Sequence, residues 1–457
     1  MITTDNDTIC AAATAQGGAL SIIRISGNEA ISIASAACKG ISINTPANTV
    51  HHTNIYDGNG KIIDDVMVSI FHGPHSYTGE DSIEISCHGS AYITTKIMES
   101  LVQRGCRQAM PGEYTQRAFL NGKLSLEQAE AVADLIASAN AATHKMALSQ
   151  LRGKVSSELV TLREQLLKIT SLLELELDFS DHEDIEFADR HELLSLANTI
   201  DKRICKLAHS FETGNALKHG IPVAIIGKTN VGKSTLLNRL LKDERAIVSD
   251  IHGTTRDTIE DTMDINGVQF RFIDTAGIRH TTDQVEQIGI DRTYQTIDKA
   301  RIILWVIDEL PSKEEVGEIV KLTQDKTLLI VQNKIDKCPD NIIEINDINN
   351  KYTQIQVSAK NGIGIDALEE CIFHSANIPI FTENDVIITS VRHYNALSRA
   401  HERLSYVIEA LENNISGDLI SEDLRLVIYH LSEITGKGIV TPNEVLENIF
   451  KNFCIGK

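Results

Sequence analysis

The sequence predicts a multidomain α/β and α architecture: an N-terminal α+β domain, then an all-α domain interrupted by an inserted α/β domain with a parallel sheet. Three observations predict it. Short apolar runs bounded by turn residues crowd residues 1–120; apolar spacings of three and four replace them from 123 and return after 389; between 216 and 378, β-like runs alternate with helical stretches. With 457 residues, 42% of them hydrophobic, the chain exceeds one ordinary core and has the material for several.

Taken in order, SIIRISG (21–27), VMVSIF (66–71) and SIEISCHG (82–89) read as strands and AYITTKIMESLVQRG as a helix. Ser125 with Gln128 three residues on resembles a capping box. Leu151, Val155, Leu159, Leu162, Leu166, Ile169 and Leu173 then mark the apolar face of a long helix. The acidic stretch DFSDHEDIEF (178–187) interrupts the helices as a solvated loop. IPVAIIG, VQFRFID, RIILWVID, TLLIVQN and TQIQVS are strands of a sheet covered on both faces. ETGNALKHG (212–220) and SANIPIFTEND (375–385) read as the two connectors of the insertion. Helical pattern returns in SVRHYNALSRAHERLSYVIEALEN and SEDLRLVIYHLSEITG, and Thr441, Pro442 and Glu444 cap a last helix, TPNEVLENIFKNF. The domains so predicted are 1–120, 121–215, 216–378 and 379–457.

A net charge of −20 argues against non-specific adhesion to nucleic acid or membrane, so any RNA partner must meet a local basic patch. The eight cysteines are scattered without a CxxC pair, and the sequence shows no secretory segment and no apolar run long enough to span a bilayer. Reduced thiols, a cytoplasmic location and no membrane partner are expected. His72, His75 and His88 with Cys87 have too loose a spacing for zinc and read as ordinary loop histidines.

GKTNVGKS (227–234) follows a strand and opens a helix, the setting of a phosphate-binding loop. Gly227 and Gly232 let backbone amides approach phosphates, Lys233 neutralises the β and γ groups, and the Ser234 hydroxyl is offered to Mg²⁺. The loop set is Asn230, Val231, Gly232, Lys233, Ser234 and Thr235. SDIHGTTRD supplies Ser249, Asp250, Ile251, His252, Gly253, Thr254 and Thr255, with Thr255 as the second magnesium hydroxyl. DTAG supplies Asp274, Thr275, Ala276 and Gly277, the aspartate reaching the magnesium shell and the glycine amide the γ-phosphate. NKID gives Asn333, Lys334 and Asp336, and SAK gives Ser358, Ala359 and Lys360. Asp336 decides the base: a carboxylate only accepts, which suits guanine N1–H and its amine and leaves adenine unpaired. The nucleotide is GTP.

Ile278 stands where many GTPases carry a glutamine that orients water, so another residue must do that work. Glu286 has two readings, a surface helix charge or that orienting group. Asn230 also has two: it shapes a tight turn, or its amide oxygen ligates a monovalent cation.

GGALSIIRISG, SYTGEDSIEISCHG, MPGEYTQRAFLNGKLSLEQAEAVADLI, GTTRD, DTAGIR, VEQIGI, LSEITG and the terminal FCIGK together resemble the tRNA modification GTPases called MnmE or TrmE, essentially end to end. The resemblance implies an N-terminal domain similar to tetrahydrofolate-binding domains, a helical domain split by a Ras-like P-loop GTPase domain, and a homodimer. It implies joint action with MnmG (GidA), in a heterotetramer or larger complex, in placing a carboxymethylaminomethyl or aminomethyl group on C5 of the wobble uridine of certain tRNAs. A 5-formyl- or methylene-tetrahydrofolate is the implied one-carbon ligand. It further implies K⁺ held by Asn230, Ser249, Ile251 and Thr254, Glu286 as the water-orienting residue, and a folate pocket of Arg24, Glu84, Lys123 and Lys457 with Cys454 near by. Cys454 has two readings, a small apolar residue packed under the last helix or a catalytic group beside Lys233 and Glu286. Thr229, where the family commonly has proline, and Cys87 and Ser90, where small residues prevail, are the departures. The rival reading is a regulatory GTPase switch, as in ribosome assembly, without one-carbon chemistry.

Overall fold

Isoleucine and valine at every second position build the first sheet of the computed structural model, because successive side chains of a strand point to opposite faces. Ile23 and Ile25, Val66, Val68 and Ile70, and Ile83, Ile85 and Cys87 are all buried. They lie on β2 (Leu20–Ser26), β4 (Ile62–Phe71) and β5 (Ser82–His88). The structure describes residues 7–15, 17–178, 189–242, 261–273, 296–337, 343, 352–378, 385–436, 449–450, 453 and 456. They fall into two units: Met1–Ala137, Ala147–Cys205 and Asn395–Lys457 in one, Ser138–Met146 and Lys206–Tyr394 in the other.

In the first unit the sheet adds β1 (Ile9–Ala12), apolar but only four residues long, and β3 (Thr49–Tyr56) and β6 (Arg107–Gln108), which are not apolar enough to stand out in the sequence. Its order is β3-β4-β5-β2-β1-β6, antiparallel except for the β1–β6 pair. Ile31 and Ile33 of α1 (Ala30–Ala37) and Ile97 and Leu101 of α2 (Ala91–Gln103) close its apolar face. Strand alternation separates Cys87, inside that core, from the exposed His88, whose Nδ1 meets Asp64 at 2.9 Å; His72 Nε2 meets the Thr45 carbonyl. These residues form no metal cluster among the described residues.

Beside the sheet, Arg117 on α3 (Glu113–Leu120) pairs with Asp7 at 2.6 Å, Glu80 at 3.2 Å and Glu113 at 3.1 Å. Arg107 joins Asp7 and Glu113 from β6. Burial would raise the carboxyls of Asp7 and Glu113, but hydrogen bonds from the arginines more than reverse it and hold both below the usual range.

The helical part of this unit contains α4 (Leu126–Ala137), the end of α5 (Ala141–Leu151) and α6 (Lys154–Asp178). Ser125 and Gln128 do meet, but the Ser125 hydroxyl donates to Gln128 Oε1 at 2.8 Å, and the same oxygen accepts the Ser125 N–H at 2.9 Å. The side-chain oxygen thus replaces the reciprocal cap that the spacing suggests. From Val155 to Leu173 the predicted stripe is wholly buried, each side chain contributing roughly 1.5–3 kcal/mol. It begins one turn later than Leu151, because Gly153, at φ 77°, ends α5 and starts a new helix. Ile420, Leu424, Val427, Leu431 and Ile434 of α12 (Gly417–Thr435) are buried with it. Phe450 and Phe453 pack with Leu126 and Ala129. The acidic stretch after Asp178, and Thr441, Pro442 and Glu444, lie outside the described residues.

The long helices α7 (Arg190–His219) and α11 (Val391–Glu412) flank the second unit in sequence. Residues 212–219 are the last turns of α7, not a loop; Lys218 and His219 suit its negative end. The sheet order is β12-β11-β10-β7-β9-β8, from β7 (Ile221–Ile226), β8 (Asp261–Ile265), β9 (Val268–Phe272), β10 (Ile302–Ile307), β11 (Thr327–Gln332) and β12 (Thr353–Gln356). All neighbours are parallel except β8–β9, an antiparallel hairpin at one edge that departs from the expected all-parallel sheet. Every residue of β10 is buried: Ile302, Leu304 and Val306 enter one core, Ile303, Trp305 and Ile307 the other. That is the mark of a strand covered on both faces. Helices α8 (Lys233–Lys242), α9 (Lys313–Leu322) and α10 (Ile365–Ser375) complete this unit's named elements. No described helix of the chain is long and apolar enough to cross a membrane.

Candidate functional site

In the α/β unit, β9 lies on one side of β7 and β10 on the other, so the loop after β7 opens at a topological switch point. Open α/β sheets take their ligands there. The loop is GKTNVGKS. Gly227 and Gly232 have φ of 141° and 100°, and a Cβ would strike the Val306 carbonyl at the first and the Asn333 amide at the second. Val231 is buried and anchors the loop. Lys233 and Ser234 open α8, whose first amides and dipole suit an anion.

Lys233 Nζ donates to the carbonyls of Gly227 and Lys228, each at 2.6 Å, and burial pushes its pKa down. A desolvated cation cradled by carbonyl dipoles is an electrostatic match for polyphosphate. Asn230 is exposed and left-handed at φ 62°, as a tight turn requires. Its carbonyl accepts from Lys334 Nζ at 2.5 Å, and Lys334 also pairs with Asp308 at 2.6 Å. Sequence reasoning passed over Asp308, although a carboxylate closing the apolar strand RIILWVI at the switch point was signal enough.

Asn333 is a buried staple: its amide donates to the Val231 carbonyl at 2.8 Å, and its Oδ1 accepts the Ala359 N–H at 3.0 Å. The phosphate loop and the SAK loop are thereby held together. The Ser358 hydroxyl donates to Asp336 Oδ1 at 2.6 Å, and this bond holds the exposed carboxyl below its usual range. Ser358 and Ala359 are buried; Thr235 and Lys360 are exposed. Ser249, Asp250, Ile251, His252, Gly253, Thr254, Thr255, Asp274, Thr275, Ala276, Gly277 and Glu286 lie outside the described residues.

The other unit holds a second constellation. Arg24 on β2 stands in register with Glu84 on β5, and its Nε and Nη2 donate to Glu84 Oε1 at 3.0 and 2.7 Å. Tyr77 and Tyr114 place their rings 5.5 and 5.6 Å from the guanidinium, and Tyr114 Oη donates to the Arg24 carbonyl at 2.7 Å. Neither tyrosine was singled out from the sequence, though both sit within the quoted motifs. Arg24 Nη1 also donates to the Gly456 carbonyl at 3.3 Å, so part of the terminal FCIGK reaches this pair. Lys123 Nζ bonds instead to the Pro74 carbonyl at 2.8 Å. Cys454 and Lys457 lie outside the described residues.

A phosphate-ready loop at the switch point of a doubly covered sheet, with a braced carboxylate for guanine, defines a P-loop GTPase. The relatives narrow the class. A family model described as the MnmE helical domain matches residues 126–454, and one described as the GTP-binding protein TrmE N-terminus matches 8–123. The chain is 53% identical to the tRNA modification GTPase MnmE of Bacteroides fragilis, over 99% of this chain and 100% of that one. Identity is 52% to the MnmE of Bacteroides thetaiotaomicron and 49% to that of Flavobacterium johnsoniae, with the same coverage. The chain belongs to the MnmE family of tRNA modification GTPases, and it is a GTP hydrolase.

Proposed function

We propose that this chain is a potassium-stimulated GTPase that acts with MnmG (GidA) to install a carboxymethylaminomethyl or aminomethyl group on C5 of the wobble uridine of certain tRNAs. A folate-derived one-carbon unit supplies the carbon. The observation that carries the reading is the presence, in one chain, of a phosphate loop organised around Lys233 and a registered Arg24–Glu84 pair met by Gly456 of the terminal motif. A simple GTPase switch gives no reason for the second. We read 1–120 as the folate-binding and dimerisation domain, 216–378 as the GTPase domain, and 121–215 with 379–457 as the helical domain, in a cytoplasmic homodimer.

The chain's own groups divide the work. Lys233 neutralises the phosphates, Asp336 reads guanine, and Glu286 orients the attacking water. Ser234, half-buried at the start of α8, with Thr255 would hold Mg²⁺; the hard hydroxyl donor beside the anion-seeking helix end fits that ion. Asn230, exposed on its left-handed turn, fits as an oxygen donor to K⁺, with Ser249, Ile251 and Thr254. Bound at the phosphates, such cations offset the charge that develops in transfer. Glu84 takes the folate's pterin N–H groups, with Arg24 bonded to it and orienting it, and Lys457 takes the glutamate tail, with Lys123 at the rim and Cys454 as the candidate catalytic group.

Nucleoside mass spectrometry of tRNA from cells lacking this protein tests the role directly: the modified wobble uridine should vanish, and its persistence would refute the reading. For the pocket, calorimetry with 5-formyltetrahydrofolate should show binding that weakens about tenfold or more in Arg24→Ala, the loss of one charged hydrogen-bonding partner. A parent chain that binds no folate would return the protein to the switch reading.

A further inference from the structure

Among the described residues, one cluster of metal-ligating side chains gathers outside the two sites above. Asp201 and Cys205 stand one turn apart on α7, on the same helix face, and His401 meets them from α11. His401 Nδ1 lies 2.6 Å from Asp201 Oδ1 and 3.3 Å from Cys205 Sγ, and the thiol is 3.9 Å from Asp201 Oδ2. The nitrogen is the same in both contacts. A nucleophile relay of the Cys–His–acid kind needs the thiol on one ring nitrogen and the carboxylate on the other. Here thiol and carboxylate converge on a single nitrogen, which with only one proton or lone pair cannot serve both fully. Convergence of three unlike donors on one point is what a metal ion requires.

We propose that Asp201, Cys205 and His401 bind a divalent cation of the zinc type, clipping α7 to α11 within the helical part of the first unit. Sulfur, imidazole and carboxylate are the donors zinc takes, and three protein ligands leave its fourth position to water. Bond lengths of about 2.3 Å to sulfur and 2.0–2.1 Å to nitrogen and oxygen put tetrahedral donors roughly 3.3–3.6 Å apart. The observed separations of 2.6, 3.3 and 3.9 Å bracket that spacing, so small rotations of three side chains complete the site. An entry path exists: the His401 side chain is 45% exposed and Asp201 20%. Burial, and then Asp201, push the Cys205 thiol up, so without metal it keeps its proton; binding releases that proton to solvent as the thiolate forms.

The test uses the full chain, stripped with chelator and titrated with Co²⁺ as a spectroscopic stand-in for zinc. The parent should take up cobalt with a thiolate-to-metal charge-transfer band and the strong visible bands of a tetrahedral ion. Cys205→Ser should lose the charge-transfer band, and His401→Gln should bind at least about 100-fold more weakly, beyond the cost of losing an outer-shell partner. Zn²⁺ should raise the urea midpoint of the parent and leave that of His401→Gln unmoved, a readout that serves even where Cys205→Ser folds poorly. A parent without the thiolate band, or a band that survives undiminished in Cys205→Ser, overturns the proposal.

Discussion

Lys233→Ala is expected to lower kcat for GTP by about 10²–10³-fold, the scale on which a positioned electrostatic group stabilises a transition state. The argument rests on where the ammonium is kept. Its two carbonyl partners belong to the loop itself, and its pKa is lowered by burial, so the cation is held at an electrostatic disadvantage until an anion arrives. Phosphate oxygens can replace Gly227 and Lys228 as acceptors without moving the helix that carries the side chain. Lys233→Arg should not restore the rate, since a planar fork cannot enter a cradle shaped for a compact ammonium. Single-turnover hydrolysis at saturating GTP separates the chemical step from binding. Parent-like turnover in Lys233→Ala would remove this residue from the reaction.

What the sequence disclosed depended on the range of each signal. Of the five strands legible in the α/β sheet, β7, β10 and β11 show as apolar runs because a strand covered on both faces is apolar along most of its length, as β10 is from Ile302 to Ile307, and β9 and β12 show by alternation. β8 was not legible: DTMDI buries only Met263 and Ile265, and its place is fixed by the hairpin to β9. β3, TVHHTNIY, buries only Ile55 and lies at a sheet edge, where little apolar pattern is required. The leucine spacing ran on through Leu151 because periodicity does not register a change of backbone hand at Gly153. In the site, the phosphate loop is contiguous and was read residue by residue. The Arg24–Glu84 pair, 60 residues apart, depends on the β2–β5 register, and the brace of Lys334 on Asp308 and Asn230 on three separate loops. Such pairings arise only when the sheet sets distant residues side by side.

The braced carboxylate also yields the sharpest test of specificity. Asp336→Asn is expected to weaken GTP by more than about 100-fold and to make xanthosine triphosphate the better ligand. Guanine offers two donors, N1–H and its exocyclic amine, to an acceptor-only group, and the variant loses the charge assistance of the first bond and the whole of the second. In the variant the amide oxygen still accepts N1–H, but the NH₂ opposes the guanine amine, donor against donor. Xanthine carries a carbonyl there, and the mismatch becomes a bond. The Ser358 hydroxyl fixes the orientation of Asp336 and holds it ionised below the usual carboxylate range, so guanine preference should persist as pH falls until that depressed pKa is reached. Competition of the two triphosphates for the parent and the variant measures the exchange. Indifference of Asp336→Asn to the base would mean that guanine is read elsewhere, for instance by the backbone of Ser358 to Lys360, and the carboxylate would lose its assigned role.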